Sequence, residues 1–130
     1  MYKINHIGYL EKNHKSAISS WVKLGYEVKF SYKKDTFQNI ICSLFKKKNY
    51  PDVEIISILN RKKKSTITNR LNRKIHFDHI CYEVKNIENE IKKMERESFK
   101  NIYYKYSPIF KRKIAFFYSL NNIIIELIES

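Results

Sequence analysis

The chain has 130 residues, 43% hydrophobic and 15% aromatic, with 26 Lys+Arg against 13 Asp+Glu and a formal net charge of +13. That length is one domain's worth, and the apolar and aromatic content excludes a disordered chain. The opening "MYKINHIGYLEKNHK" has no apolar stretch of signal-peptide length and no uninterrupted 18-residue apolar run occurs, so a cytoplasmic protein outside the membrane is expected.

Residues 3–10 alternate as a half-buried strand. "NHKSAISSWVKLG" then reads as a helix with Ala17, Ile18, Trp21, Val22 and Leu24 on one side, Asn13 as N-cap and Gly25 as the stop. Three strands are predicted next, in "YEVKFSY", "FQNIICSLF" and "DVEIISIL". The basic segment "RKKKSTITNRLNRK" (61–74) reads as a linker with two helical turns starting near Ser65. The order then repeats. "HFDHICYEV" is a strand, and "NIENEIKKMERESF" is a helix with Ile87, Ile91 and Met94 on one stripe. Its acidic residues come first and its basic ones later, as the helix dipole prefers. "NIYYKY", "KIAFFYS" and "NIIIELIE" close the chain as strands. The expectation is one α+β domain over 1–130, built from two tandem βαβββ modules at about 1–60 and 75–130.

Four residues repeat with the modules. "HIGY" (6–9) matches "HICY" (79–82), and "VEII" (53–56) matches "IELI" (125–128). Glu54 lies 48 residues after His6, and Glu126 lies 47 after His79. Each glutamate stands among apolar residues on both faces of its strand, where an unpaired carboxylate is costly. Two histidines and two carboxylates related by a repeat are satisfied together by one divalent cation. Imidazole and carboxylate suit Zn, Ni, Co, Mn or Fe(II) alike. His14 and His76 match nothing across the repeat and are expected at the surface.

The remaining features are less specific. Cys42 and Cys81 lie in strands without CxxC spacing and are expected as reduced, buried thiols. The basic runs 46–48, 61–64 and 111–113 favour anionic partners, but a Lys-, Asn- and Ile-rich composition produces such runs without selection for binding. No recognisable nucleic-acid motif accompanies them.

The anchors "INHIGYLEKNHKSAISSWVKLGYEV", "STITNRLNRKIHFDHICYEVKNI" and "KIAFFYSLNNIIIELIE" resemble the vicinal oxygen chelate superfamily, which includes glyoxalase I, methylmalonyl-CoA epimerase, extradiol dioxygenases and the fosfomycin and bleomycin resistance proteins. The resemblance implies a cupped mixed sheet around a metal held by His6, Glu54, His79 and Glu126. It implies Glu126 as the catalytic base, with Glu54 as its counterpart. The implied activity is that of a metal-dependent isomerase or epimerase, using enolate chemistry on a small carbonyl or acyl-thioester substrate. A small-molecule binding or antibiotic-resistance protein of the same superfamily is the alternative. An anionic substrate such as a CoA thioester or glutathione adduct is expected, with Lys111, Arg112 and Lys113 available to its phosphates, as is a homodimer. One departure stands out, for Cys42 occupies the place where the epimerases carry a further catalytic glutamate.

Overall fold

In a computed structural model that describes residues 2–130, the order strand–helix–strand–strand–strand occurs twice, with a short helix between. The elements are β1 (Lys3–Leu10), α1 (His14–Lys23), β2 (Glu27–Asp35), β3 (Ile40–Lys47), β4 (Tyr50–Ile58), α2 (Thr68–Asn72), β5 (Phe77–Val84), α3 (Ile87–Arg96), β6 (Lys100–Ser107), β7 (Arg112–Tyr118) and β8 (Ile124–Glu129). Two compact units divide them, one of residues 7–78 and one of residues 2–6 with 79–130. No helix among the described residues is long and apolar enough to cross a membrane.

In the unit 7–78, β2, β3 and β4 pair antiparallel in that order. Strand alternation gives β3 and β4 two different faces. One carries Phe45, Val53 and Ile55, which pack with Ala17, Ile18 and Trp21 of α1. The other carries Cys42, Leu44, Glu54 and Ile56, with Leu44 opposite Glu54 and Cys42 opposite Ile56. The predicted cap of α1 is present, since Asn13 Oδ1 accepts from Ser16 N at 3.0 Å. Gly25 ends the helix region at φ +92, a conformation that costs a residue with a Cβ.

Three of the boundaries that differ from expectation have a visible cause. β2 runs on to Asp35, bulging on both sides of Phe30, with Tyr32 at φ 53. β3 starts at Ile40 rather than Phe37, because the Asp35 carboxylate accepts from Gln38 N (3.1 Å) and Gln38 Nε2 (3.0 Å) and bends the chain. α2 starts at Thr68 rather than Ser65, whose N–H donates to Thr68 Oγ1 at 2.8 Å and whose hydroxyl donates to Gln38 O. Asn39, at φ 57, donates through Nδ2 to Asn60 O and Lys63 O and ties the linker to the β2–β3 turn.

In the other unit, β5 pairs parallel with β8, and β8–β7 and β7–β6 pair antiparallel. A parallel pair needs a long connection, which α3, β6 and β7 provide. α3 is capped by Asn86, which accepts from Asn89 N, and carries Glu88 and Glu90 in its first turn and Lys93 and Arg96 in its last. Val84, Ile87, Met94, Ala115, Phe117 and Leu127 form the core under α3. Full burial of a side chain like Phe117 contributes about 2–3 kcal/mol. On the opposite face Cys81, Ile114 and Ile128 are buried, with Tyr103, Phe110 and Phe116 packed against them. Both cysteines are reduced thiols and buried, as expected.

Candidate metal centre

The alternation of β1 buries His6, Gly8 and Leu10. In the parallel β5–β8 register His79 lies opposite Ile124 and Cys81 opposite Glu126, so His79, Cys81 and Glu126 share one face. His6 and His79 are 0% exposed and Glu126 is 1% exposed. His79 Nε2 lies 2.9 Å from Glu126 Oε2, His6 Nε2 lies 3.4 Å from the same oxygen, and the two Nε2 atoms are 3.4 Å apart. Phe110 stacks on the His6 ring (centroids 5.0 Å apart, 5° between planes), and Phe116 meets His79 edge-on at 5.2 Å. Aromatic walls thus hold both imidazoles and keep water away from them.

Burial pushes the Glu126 carboxyl up, but the two imidazoles beside it more than reverse this and hold it below its ordinary value. It is therefore ionised at neutral pH, the state that ligates a cation or accepts a proton. Its other oxygen, Oε1, is buried with no hydrogen-bond partner. An unpaired carboxylate oxygen in an apolar wall costs stability that a bound cation relieves. His6, His79 and Glu126 each offer a ligand atom, all within 4.8 Å of one another. This donor set fits a divalent first-row ion.

Glu54 lies on β4 in the unit 7–78, 4% exposed, on the face that also carries Cys42 and Ile56. His76 is exposed as expected, but His14 is not. Its ring, 9% exposed, has Nδ1 at 2.8 Å from Ser57 Oγ and Nε2 at 2.7 Å from Ser43 Oγ. The expectation failed because these partners lie 29 and 43 residues away in sequence, on the α1-facing side of β3 and β4.

The basic runs have structural partners. Lys47 Nζ donates to Leu24 O at the end of α1, and Arg61 Nη2 donates to Lys12 O. Of the three residues offered for substrate phosphates, Arg112 lies 3.5 Å from Glu83 and Lys113 lies 2.9 Å from Glu88, so both are already neutralised by carboxylates. Asn5 and the two phenylalanines framing the histidines had no signal in the repeat. Only adjacency to His6 marks Asn5.

Residues 5–116 match the model of the glyoxalase/bleomycin resistance protein/dioxygenase superfamily, and the chain belongs to that superfamily. Among solved structures, a hypothetical protein from Bacillus halodurans C-125 is similar at a TM-score of 0.87 and 18% identity, over 99% of this chain and 94% of that one. Methylmalonyl-CoA epimerase from Mycobacterium tuberculosis is similar at 0.84 and 16%, over 97% and 86%. A methylmalonyl-CoA epimerase in complex with methylmalonyl-CoA and NH4+ is similar at 0.86 and 13%, over 100% and 95%. At these identities the likeness is one of fold. No curated protein matches in sequence.

Proposed function

We propose that the protein is a metal-dependent isomerase or epimerase that moves a proton next to the carbonyl of a small carbonyl compound or acyl thioester. The supporting observation is the buried His6–His79–Glu126 cluster, with one carboxylate oxygen left without a partner. In this reading His6, Glu54, His79 and Glu126 hold one divalent ion, Glu54 being the buried carboxylate that completes the repeat. A bound divalent ion supplies Lewis-acid stabilisation to negative charge developing on a substrate oxygen. Glu126, ionised and opposite Phe116 on the neighbouring strand, would accept the proton from the carbon acid, with Glu54 its counterpart for return of a proton. His6 and His79 would serve as ligands to the ion rather than as acid or base. The acyl-CoA ligands of the similar epimerases support a thioester as the substrate class.

Cys42 favours a second reading, a small-molecule binding protein. It is fully buried on the Glu54 face, and by the superfamily resemblance it falls where the epimerases carry a further catalytic glutamate. A neutral thiol there is a poor replacement for a carboxylate base.

Metal content of the purified protein against Glu126→Ala tests the centre. About one divalent ion per chain is expected, falling well below that in the variant, and no uptake at neutral pH refutes it. Deuterium wash-in next to the carbonyl of acyl thioesters tests the chemistry. Metal uptake without exchange across a broad panel sinks the isomerase reading and leaves the binding protein.

A further inference from the structure

Asn5 stands immediately before His6, and its amide is engaged at both ends. Nδ2 donates to Glu83 Oε1 at 3.2 Å, and Oδ1 lies 2.8 Å from His6 Nδ1. Glu83, on β5, is itself flanked by Lys3 Nζ at 3.7 Å and Arg112 Nη1 at 3.5 Å. A glutamate carboxylate only accepts hydrogen bonds. The amide's NH2 must therefore face Glu83, since the reversed amide would set two acceptor oxygens 3.2 Å apart.

The orientation of the amide decides the tautomer of the imidazole. With Oδ1 against His6, the 2.8 Å contact is a hydrogen bond only if Nδ1 carries the proton. A neutral imidazole protonated at Nδ1 has its lone pair on Nε2. That nitrogen is the one 3.4 Å from both Glu126 Oε2 and His79 Nε2. The opposite tautomer would place an N–H there and could not ligate.

We propose that Asn5, clamped by Glu83, is a positioning residue that fixes His6 in the Nδ1–H tautomer and presents the Nε2 lone pair to a divalent cation. The proposal rests on the metal centre described under Proposed function. In the second module Asp78 precedes His79, but its carboxylate accepts from Arg70 Nε at 2.6 Å and Nη2 at 3.3 Å, so the clamp is argued for His6 alone. The clamp also gives the pairing of Arg112 and Lys3 with Glu83 a purpose: they hold it rather than a substrate phosphate.

The test uses the full chain, metal-free and then titrated with Zn2+. Long-range 1H–15N spectra at pH 8 read the tautomer of His6, and competition with a chromophoric chelator reads the Zn2+ affinity. The unmodified protein is expected to show Nδ1–H. Asn5→Leu, with Asn5→Ala as the second variant should Leu disturb folding, is expected to lose that preference. Zn2+ affinity should then fall about 10–100-fold, as is usual when an outer partner of a ligating histidine is removed. Asn5→Asp combined with Glu83→Gln reverses donor and acceptor in the clamp yet leaves an oxygen facing Nδ1, and should recover affinity to within about threefold. An Nε2–H tautomer in the unmodified protein overturns the proposal. So does an Asn5→Leu protein with the same tautomer and unchanged affinity, or a folded double variant without recovery. If the unmodified protein takes up no Zn2+, the metal centre fails and the cation falls with it. If Zn2+ binds but the tautomer is Nε2–H, the centre stands and only the role of Asn5 is lost.

Discussion

Replacing His14 by Ala removes the group that joins the start of α1 to β3 and β4. Two hydrogen bonds are lost, to Ser57 Oγ at 2.8 Å and Ser43 Oγ at 2.7 Å, each contributing about 1 kcal/mol. Ser43 keeps the N–H of Tyr32 as a partner at 3.0 Å, but Ser57, 3% exposed, loses the imidazole. A buried hydroxyl without a partner costs about 1–3 kcal/mol more. The expected destabilisation is about 3–5 kcal/mol. An unfolding entropy of about 2.1 cal/mol/K per residue over 130 residues is about 0.27 kcal/mol/K, so the melting temperature should fall by about 11–18 °C. Thermal and urea unfolding followed by circular dichroism measure both quantities. A Ser57→Ala change should be non-additive with it, with a coupling of about 1 kcal/mol. A loss below about 1 kcal/mol for His14→Ala, or strict additivity with Ser57→Ala, refutes this account of how α1 is fastened.

The same histidine sets a pH dependence. Burial lowers its pKa below the ordinary 6.5, so the native ring stays neutral where the unfolded chain takes up a proton. Its contribution is therefore complete above about pH 6.5 and is lost as pH falls below it. A His14→Leu protein should lack that part of the acid-side decline in urea midpoints. Gly25→Ala should cost about 1 kcal/mol, or about 4 °C, through the left-handed backbone alone, because a Cβ there would meet only the Lys47 side chain at 3.5 Å; an unchanged melting temperature would refute that. The hydrogen bonds from Lys113 and Tyr104 bring the Glu88 carboxyl down to about 2. Its carboxyl-carbon NMR titration should lie below the ordinary glutamate range at low salt. It should move upward in about 1 M salt or in Lys113→Ala, since exposed pairs are screened; a midpoint indifferent to both would refute the pairing.

The repeat of strand patterns and of the His and Glu positions was legible because alternation and spacing are local properties of a chain. "HIGY" and "HICY" fall within β1 and β5, and "VEII" and "IELI" fall in β4 and β8. The ends of α1 were legible too, at Asn13 and Gly25, where one residue's own chemistry starts or stops a helix. Boundaries near Asp35 and Ser65 were not, because side chains there compete with the ladder for backbone groups three residues away.

By itself, then, the sequence determined the α+β class, the doubled module and which residues are costly to bury alone. Only the tertiary structure decided that His14 is buried and that Arg112 and Lys113 are paired with carboxylates. It alone brought Asn5 and Glu83 together behind His6. The reason is physical. Periodicity says which face a side chain takes, but a hydrogen bond needs two groups at one place, and these partners lie 25 to 78 residues apart.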